Sequence, residues 1–179
     1  MKTPDGTYSD VIFSTSSNKK IDKLIKDLGL EKDFTDAYHC TLTYSKKYLP
    51  YLKTSKGVKQ VKGISKNELS KLIGIKGLGH FDTDEGKNLH MVLDCKFCET
   101  QFHRHIKAGA TTDYPEYTAH TTLLYNCKDF DIDKLTKDQQ SIVNEFKKEK
   151  LEIVEERITP LNANWVEDKT KDSDDIKDK

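Results

Sequence analysis

Residues 38–45 read YHCTLTYS and residues 117–125 read YTAHTTLLY, so the pattern His-x-Thr-Leu-x-Tyr occurs twice in one chain. His39 and His120 stand 81 residues apart (120 − 39). An apolar run centred on Val11 lies 28 residues before His39, and one centred on Val92 lies 28 before His120. Self-similarity at one fixed offset is the mark of a duplicated supersecondary unit. Such a chain must bring two copies of one small motif onto a single scaffold.

The unit itself reads as strand, helix, strand. SDVIFST (9–15) is a short β-branched run, followed by Ser16, Ser17 and Asn18 as N-cap candidates. Ile21, Leu24, Ile25 and Leu28 then recur at i, i+3, i+4 and i+7, with Gly29 placed to end the helix. Residues 37–45 alternate as a strand and carry His39 and Thr41. In the second copy NLHMVLDC (88–95) is the strand, and 95–106 is the helix with Cys98, Phe102 and Ile106 on one side. Residues 117–126 are then the strand carrying His120 and Thr122. Further on, Leu135, Ile142, Val143 and Phe146 mark a third helix, and residues 150–158 alternate like a strand. Between the copies, residues 46–76 hold nine lysines against the single acid Glu68, with scattered apolar positions that suggest a hairpin. The pattern over 67–73 does not separate helix from strand. From Glu167 onward apolar residues almost vanish, which predicts a disordered charged tail over 167–179.

A length of 179 residues fits one domain, expected here over 1–166. The fold class expected is α+β, with two pseudo-symmetric lobes around a central cleft. One lobe takes in roughly 1–45 with 127–166, and the other 46–126. Lysine plus arginine equals aspartate plus glutamate at 30 each, which gives no overall field for gripping long DNA or an anionic membrane. MKTPDGTYSD lacks an apolar h-region, and no stretch approaches the roughly 18 apolar residues of a membrane span. A cytoplasmic protein with a small-molecule ligand is the expectation. Four cysteines are too few for a disulfide scaffold.

On a strand, residues i and i+2 share a face, so His39 and Thr41 point one way, as do His120 and Thr122. Two imidazoles and two hydroxyls facing one cleft suit a phosphodiester. Each imidazole titrates near neutrality, so one can accept a proton from the attacking hydroxyl while the other protonates the departing alkoxide. Threonine hydroxyls can hold the non-bridging oxygens. The set needs neither metal nor cofactor. A lone His-x-Thr is usually structural; the matched duplication is what lifts this pair above that background.

The paired His39-Cys40-Thr41 and His120-Thr121-Thr122 resemble the motif of the 2H phosphoesterases, whose two pseudo-symmetric lobes each contribute one His-x-Thr. Within that superfamily GTYSDVIFS (6–14), YHCTLTYS and YTAHTTLLY resemble the phage anti-CBASS protein 1 group. That resemblance implies degradation of the cyclic di- and trinucleotides that bacteria make as alarm signals during infection. It implies catalytic roles for His39, Thr41, His120 and Thr122, and aromatic residues that stack on the bases. Tyr8 beside the first strand matches best; Phe81, in the loop-like GLGHFDT, and Trp165 are further candidates.

Cys95-x-x-Cys98 with His103 and His105 raises zinc and redox readings. The two histidines are too close together for a usual second ligand pair, and no aromatic precedes Cys95 as in thioredoxin-type motifs. Small core residues are the expectation for both cysteines. Two other functions compete: a 2H enzyme for linear RNA ends or 2′,3′-cyclic phosphates, and a non-catalytic binder that sequesters a nucleotide on the lysine-rich segment.

Overall fold

The computed structural model describes residues 4–50, 52, 59–61, 64–83, 86–114 and 116–161. In chain order the elements are β1 (Gly6–Phe13), α1 (Thr15–Asp27), β2 (His39–Ser45), β3 (Lys59–Val61), β4 (Ile64–Thr83), β5 (Gly86–Asp94), α2 (Lys96–Lys107), β6 (His120–Leu124), one 3-10 turn (Ile132–Lys134), α3 (Lys137–Phe146) and β7 (Leu151–Leu161). The strands pair antiparallel in the order β2-β1-β7-β4-β5-β6, with β3 beside β4. The protein is thus a mixed α/β fold built on an antiparallel sheet.

β4 joins the two halves of that sheet. Its first part, Ser65 to Ile73, pairs with β7, and its second, Gly74 to Thr83, pairs with β5. The structure therefore makes 67–73 strand. It also corrects the loop expected at GLGHFDT, where Phe81 sits in β4 opposite Asn88. Glycines at 74, 77 and 79 weaken the local strand signal, and pairing with β5 overrides it. The expected hairpin exists as β3 with β4, closing at Val61 and Ile64.

The helices of the two copies begin and end alike. Ser14, ahead of the expected Ser16–Asn18 caps, accepts the Ser17 N–H at 3.2 Å, and Cys95 Sγ accepts the Cys98 N–H at 3.2 Å. Each helix closes on a glycine of positive φ, Gly29 at 79° and Gly109 at 107°. Beyond it, the Leu30 N–H bonds Ile25 O and the Ala110 N–H bonds His105 O, both at 3.0 Å. This is the Schellman arrangement, which satisfies carbonyls left open at the helix end and favours glycine at the left-handed residue.

The strand pairs also match. β1 with β2 slips between Ser9 and Asp10 and passes over Leu42; β5 with β6 slips between Leu89 and His90 and passes over Leu123. Each slip is a bulge at the leucine of the repeated motif. Opposite the motifs the pairing runs Val11 with Cys40 but Met91 with Thr121. Met91, not Val92, is the counterpart of Val11, so the first strands match at an offset of 80 (91 − 11). One core holds both units together, through Val11, Ile21, Leu42, Leu89, Met91 and Leu123.

One polar group is enclosed beneath α2. His105 is 1 % exposed, with Thr43 Oγ1 and Ser9 Oγ at 2.7 and 3.2 Å from Nδ1. Burial, aided by the charge of Arg104, pushes this imidazole from 6.5 down to about 4. As pH falls below 6.5 the unfolded chain takes up a proton that the fold refuses, so stability drops until about pH 4. His90, held at about 4 by burial and by His120 and His80, acts with the same sign. The urea midpoint should therefore fall between pH 7 and pH 5, and His105→Gln should lose part of that fall. Equal falls in the two proteins would contradict the assignment.

Candidate active site

β2 and β6 are the terminal strands of the order, yet they touch, so the sheet bends back on itself. Tyr117, just ahead of β6, closes the seam: its hydroxyl donates to the Thr41 carbonyl at 2.9 Å and lies 3.5 Å from Cys40 Sγ. The alternation expected of the motifs is present. Cys40 and Thr121 are buried at 0 % and 1 %, while His39, Thr41, His120 and Thr122 are half-buried. Each histidine and its threonine thus lie on the same side of their strand.

His120 is tightly placed. Its Nδ1–H donates to the Thr118 carbonyl at 2.8 Å, which leaves Nε2 for other work. Burial lowers its proton affinity, and the Thr118 bond opposes that shift. The His90 ring lies edge-on at 5.1 Å, and Phe81 stacks on His90 at 4.1 Å while meeting His120 at 5.0 Å. Asn88 Nδ2 donates to Thr122 Oγ1 at 3.4 Å.

In the first unit, Tyr8 takes the place that Asn88 has in the second. Its hydroxyl is 3.0 Å from Thr41 Oγ1, and its ring meets Tyr44 edge-on at 5.6 Å. Burial, with the nearby Asp10 carboxylate, raises the Tyr8 phenol well above its usual range, so it stays protonated and can donate. Asp10, 2 % exposed, grips Arg157 through a bidentate pair at 2.9 and 2.6 Å. His39 pairs across the ladder with Ile12.

A cleft of about 320 Å³ opens at the seam, lined by Thr41, Tyr44, Phe102, Tyr114, Tyr117 and His120 among others. Of the four motif histidines and threonines it joins Thr41 from one copy and His120 from the other. His39 and Thr122 are not among its lining residues, although each shares a strand face with a residue that is. A larger groove of about 390 Å³ between α1 and α3 contains no motif residue. Tyr114, 72 % exposed at the rim, escaped the sequence reading. An aromatic in the short polar run TTDYPEY was the available signal.

Of the aromatic candidates, Tyr8 lies at the motif and Phe81 lies beside His120 with 41 % of its surface exposed. Trp165 and the 167–179 tail lie outside the described residues, as does part of the lysine-rich segment. Among its described lysines, Lys46 pairs with Asp113 at 3.3 Å, Lys66 with Glu155 at 3.8 Å, and Lys71 lies over the Phe97 ring. All four cysteines are free and buried, as expected for Cys95 and Cys98. His105 turns to Ser9 and Thr43 and away from any shared site with the cysteines. Among the described residues no group of three His, Cys, Asp or Glu is placed to hold a metal ion, and no helix is long and apolar enough to cross a membrane.

Comparison with known proteins gives this geometry a family. The model of the family described as anti-CBASS protein Acb1 matches residues 5–168, nearly the whole chain. The chain belongs to the anti-CBASS protein Acb1 family. The Acb1 of Vibrio phage KVP40 is 27 % identical over 165 residues, covering 90 % of this chain and 91 % of the relative. The Acb1 of Salmonella phage S16 is 27 % identical, with 91 % and 93 % covered. The Acb1 of Enterobacteria phage T4 is 27 % identical over 126 residues, with 68 % and 72 % covered. Both His-x-Thr segments lie inside the span matched to Acb1.

Proposed function

We propose that this Acb1-family protein is a metal-independent phosphodiesterase that opens 3′,5′ linkages of cyclic di- and trinucleotides, so that a phage evades CBASS defence in the cytoplasm of its host. The observation that carries the reading is the cleft at the β2–β6 seam, where Thr41 and His120, from motifs 81 residues apart, face one volume. The matched caps and bulges of the two units support a pseudo-symmetric pair of lobes of the 2H phosphoesterase kind within one domain. β4 is shared between them, pairing in turn with a strand of each.

In this mechanism a ribose 2′-hydroxyl of the ligand attacks the adjacent phosphorus. His120 takes its proton on Nε2. The assignment fits a ring whose Nδ1 is occupied and whose burial favours the neutral form. A bond forms from O2′ to phosphorus as the bond from phosphorus to O5′ breaks, and His39 gives the leaving oxygen its proton. The hydroxyls of Thr41 and Thr122 donate to the non-bridging oxygens, where charge grows in the transition state. Thr41 is aligned by Tyr8 and Thr122 by Asn88. Tyr8, with Phe81 and Trp165 as further platforms, stacks the bases, at about 1–3 kcal/mol per base.

The test is a panel of cyclic dinucleotides and trinucleotides, linear RNAs and 2′,3′-cyclic nucleotides, incubated with sub-stoichiometric protein in EDTA and resolved by mass. Cyclic oligonucleotides should be consumed at an undiminished rate. Preferential processing of the linear or terminal substrates would move the enzyme to RNA ends. Binding without product would make it a sequestering protein, and loss of turnover in EDTA restored by a divalent ion would defeat the metal-free mechanism.

A further inference from the structure

His90 plays no part in the repeated motif, yet the structure treats it as more than filling. It is 4 % exposed on β5 and pairs across the ladder with Thr122. Phe81 covers one face of its ring at 4.1 Å with only 24° between the planes, and His120 stands against it at 5.1 Å. Room for the ring comes from β4: a Cβ added at Gly79 would lie 2.5 Å from His90 Nε2. Its Nδ1 is buried without a partner, an arrangement that costs stability and that a leucine or phenylalanine would avoid. The equivalent strand position in the other unit holds Asp10, which faces Arg157, so the two histidines of the motif have unlike supports.

We propose that His90 is a positioning residue for His120: stacked on Phe81 and seated over Gly79, both on β4, its ring forms a wall that holds the His120 imidazole in the plane where Nδ1 meets the Thr118 carbonyl and Nε2 faces the cleft. This rests on the reading of His120 as a proton-transfer group. One hydrogen bond to a carbonyl leaves the His120 ring free to rock about that contact; an aromatic edge and Phe81 at 5.0 Å remove the freedom. Orientation is where such a wall has its effect, since a misplacement on the order of 1 Å can lower a rate about a hundredfold.

The test compares His90→Gln, His90→Phe and Gly79→Ala with the parent protein by steady-state kinetics on a cyclic dinucleotide and by nitrogen NMR of the His120 ring. His90→Gln removes the wall and should lower kcat roughly ten- to hundredfold with KM within about threefold, while the His120 resonances shift from the Nδ1–H tautomer towards a mixture. His90→Phe restores a flat wall and should recover most of kcat. Gly79→Ala, which crowds His90 from behind without touching the cleft, should lower kcat as His90→Gln does. Melting temperatures identify any variant that fails to fold; in that case Gly79→Ala and His90→Phe still decide. An unchanged kcat and tautomer in folded His90→Gln and Gly79→Ala would overturn the proposal. A shifted tautomer in a protein whose parent turns over no cyclic nucleotide would instead leave His90 in place and remove the catalytic reading of His120.

Discussion

His120→Ala should lower kcat on a cyclic dinucleotide by roughly two to four powers of ten, and His39→Ala should do so by a similar amount, the usual scale for removing a general acid or base. The reasoning is that each ring handles a different proton. Without the group at position 120 the attacking hydroxyl keeps its proton; without the group at 39 the leaving oxygen departs as a bare alkoxide. Because both act in one transition state, the double variant should be little worse than either single one. Thr41→Ala and Thr122→Ala should cost less, since each removes one hydrogen bond to a spread-out charge. His120 also packs against His90 and Phe81, so circular dichroism and a melting curve must accompany that variant. The His39 ring is half-buried too, so His39→Ala carries the same controls. Near-parental turnover in folded His39→Ala would end the two-histidine mechanism.

The motif residues were legible because a strand has a period of two. His39 with Thr41 and His120 with Thr122 could be placed on shared faces from spacing alone, and the burial of Cys40 and Thr121 between them agrees. Helix periodicity likewise gave Ile21, Leu24 and Ile25 as a buried stripe. Long-range pairing was not legible. Nothing local in GLGHFDT says strand, because its glycines carry no side chain to alternate, and only the ladder to β5 makes it one. The one-residue difference between the copies, Met91 in place of Val92 opposite the motif, comes from register, which depends on partners a sequence does not display. The same limit hid His90. In the sequence it is a polar residue in an apolar run; its meaning depends on Phe81 arriving from one strand and His120 from another.

Replacing the 2′-hydroxyl by hydrogen at the scissile residue of a cyclic dinucleotide should abolish cleavage while binding survives. The motif residues are two histidines and two threonines, and the cleft lined by Thr41 and His120 adds aromatic residues and Asp113, which is drawn to Lys46. An imidazole is a modest base, well matched to a hydroxyl already held beside the phosphorus and poorly matched to a free water that must also be captured and oriented. An attack from within the ligand gains effective molarity that a bimolecular one lacks, a difference that can reach about 7–11 kcal/mol in the most favourable geometries. The ribo ligand should therefore give a 2′,3′-cyclic phosphate first, and a linear product with a 3′-phosphate if water then completes the reaction. The deoxy ligand keeps its bases and phosphates, so stacking on Tyr8 and hydrogen bonds from Thr41 and Thr122 remain available to it, and its affinity should fall by no more than about tenfold, the scale of one lost hydrogen bond. Binding by calorimetry and products by mass separate the two effects. Efficient cleavage of the deoxy ligand, or a product carrying a 5′-phosphate, would mean that water or a side chain attacks first, and the roles of His39 and His120 would have to be exchanged or abandoned.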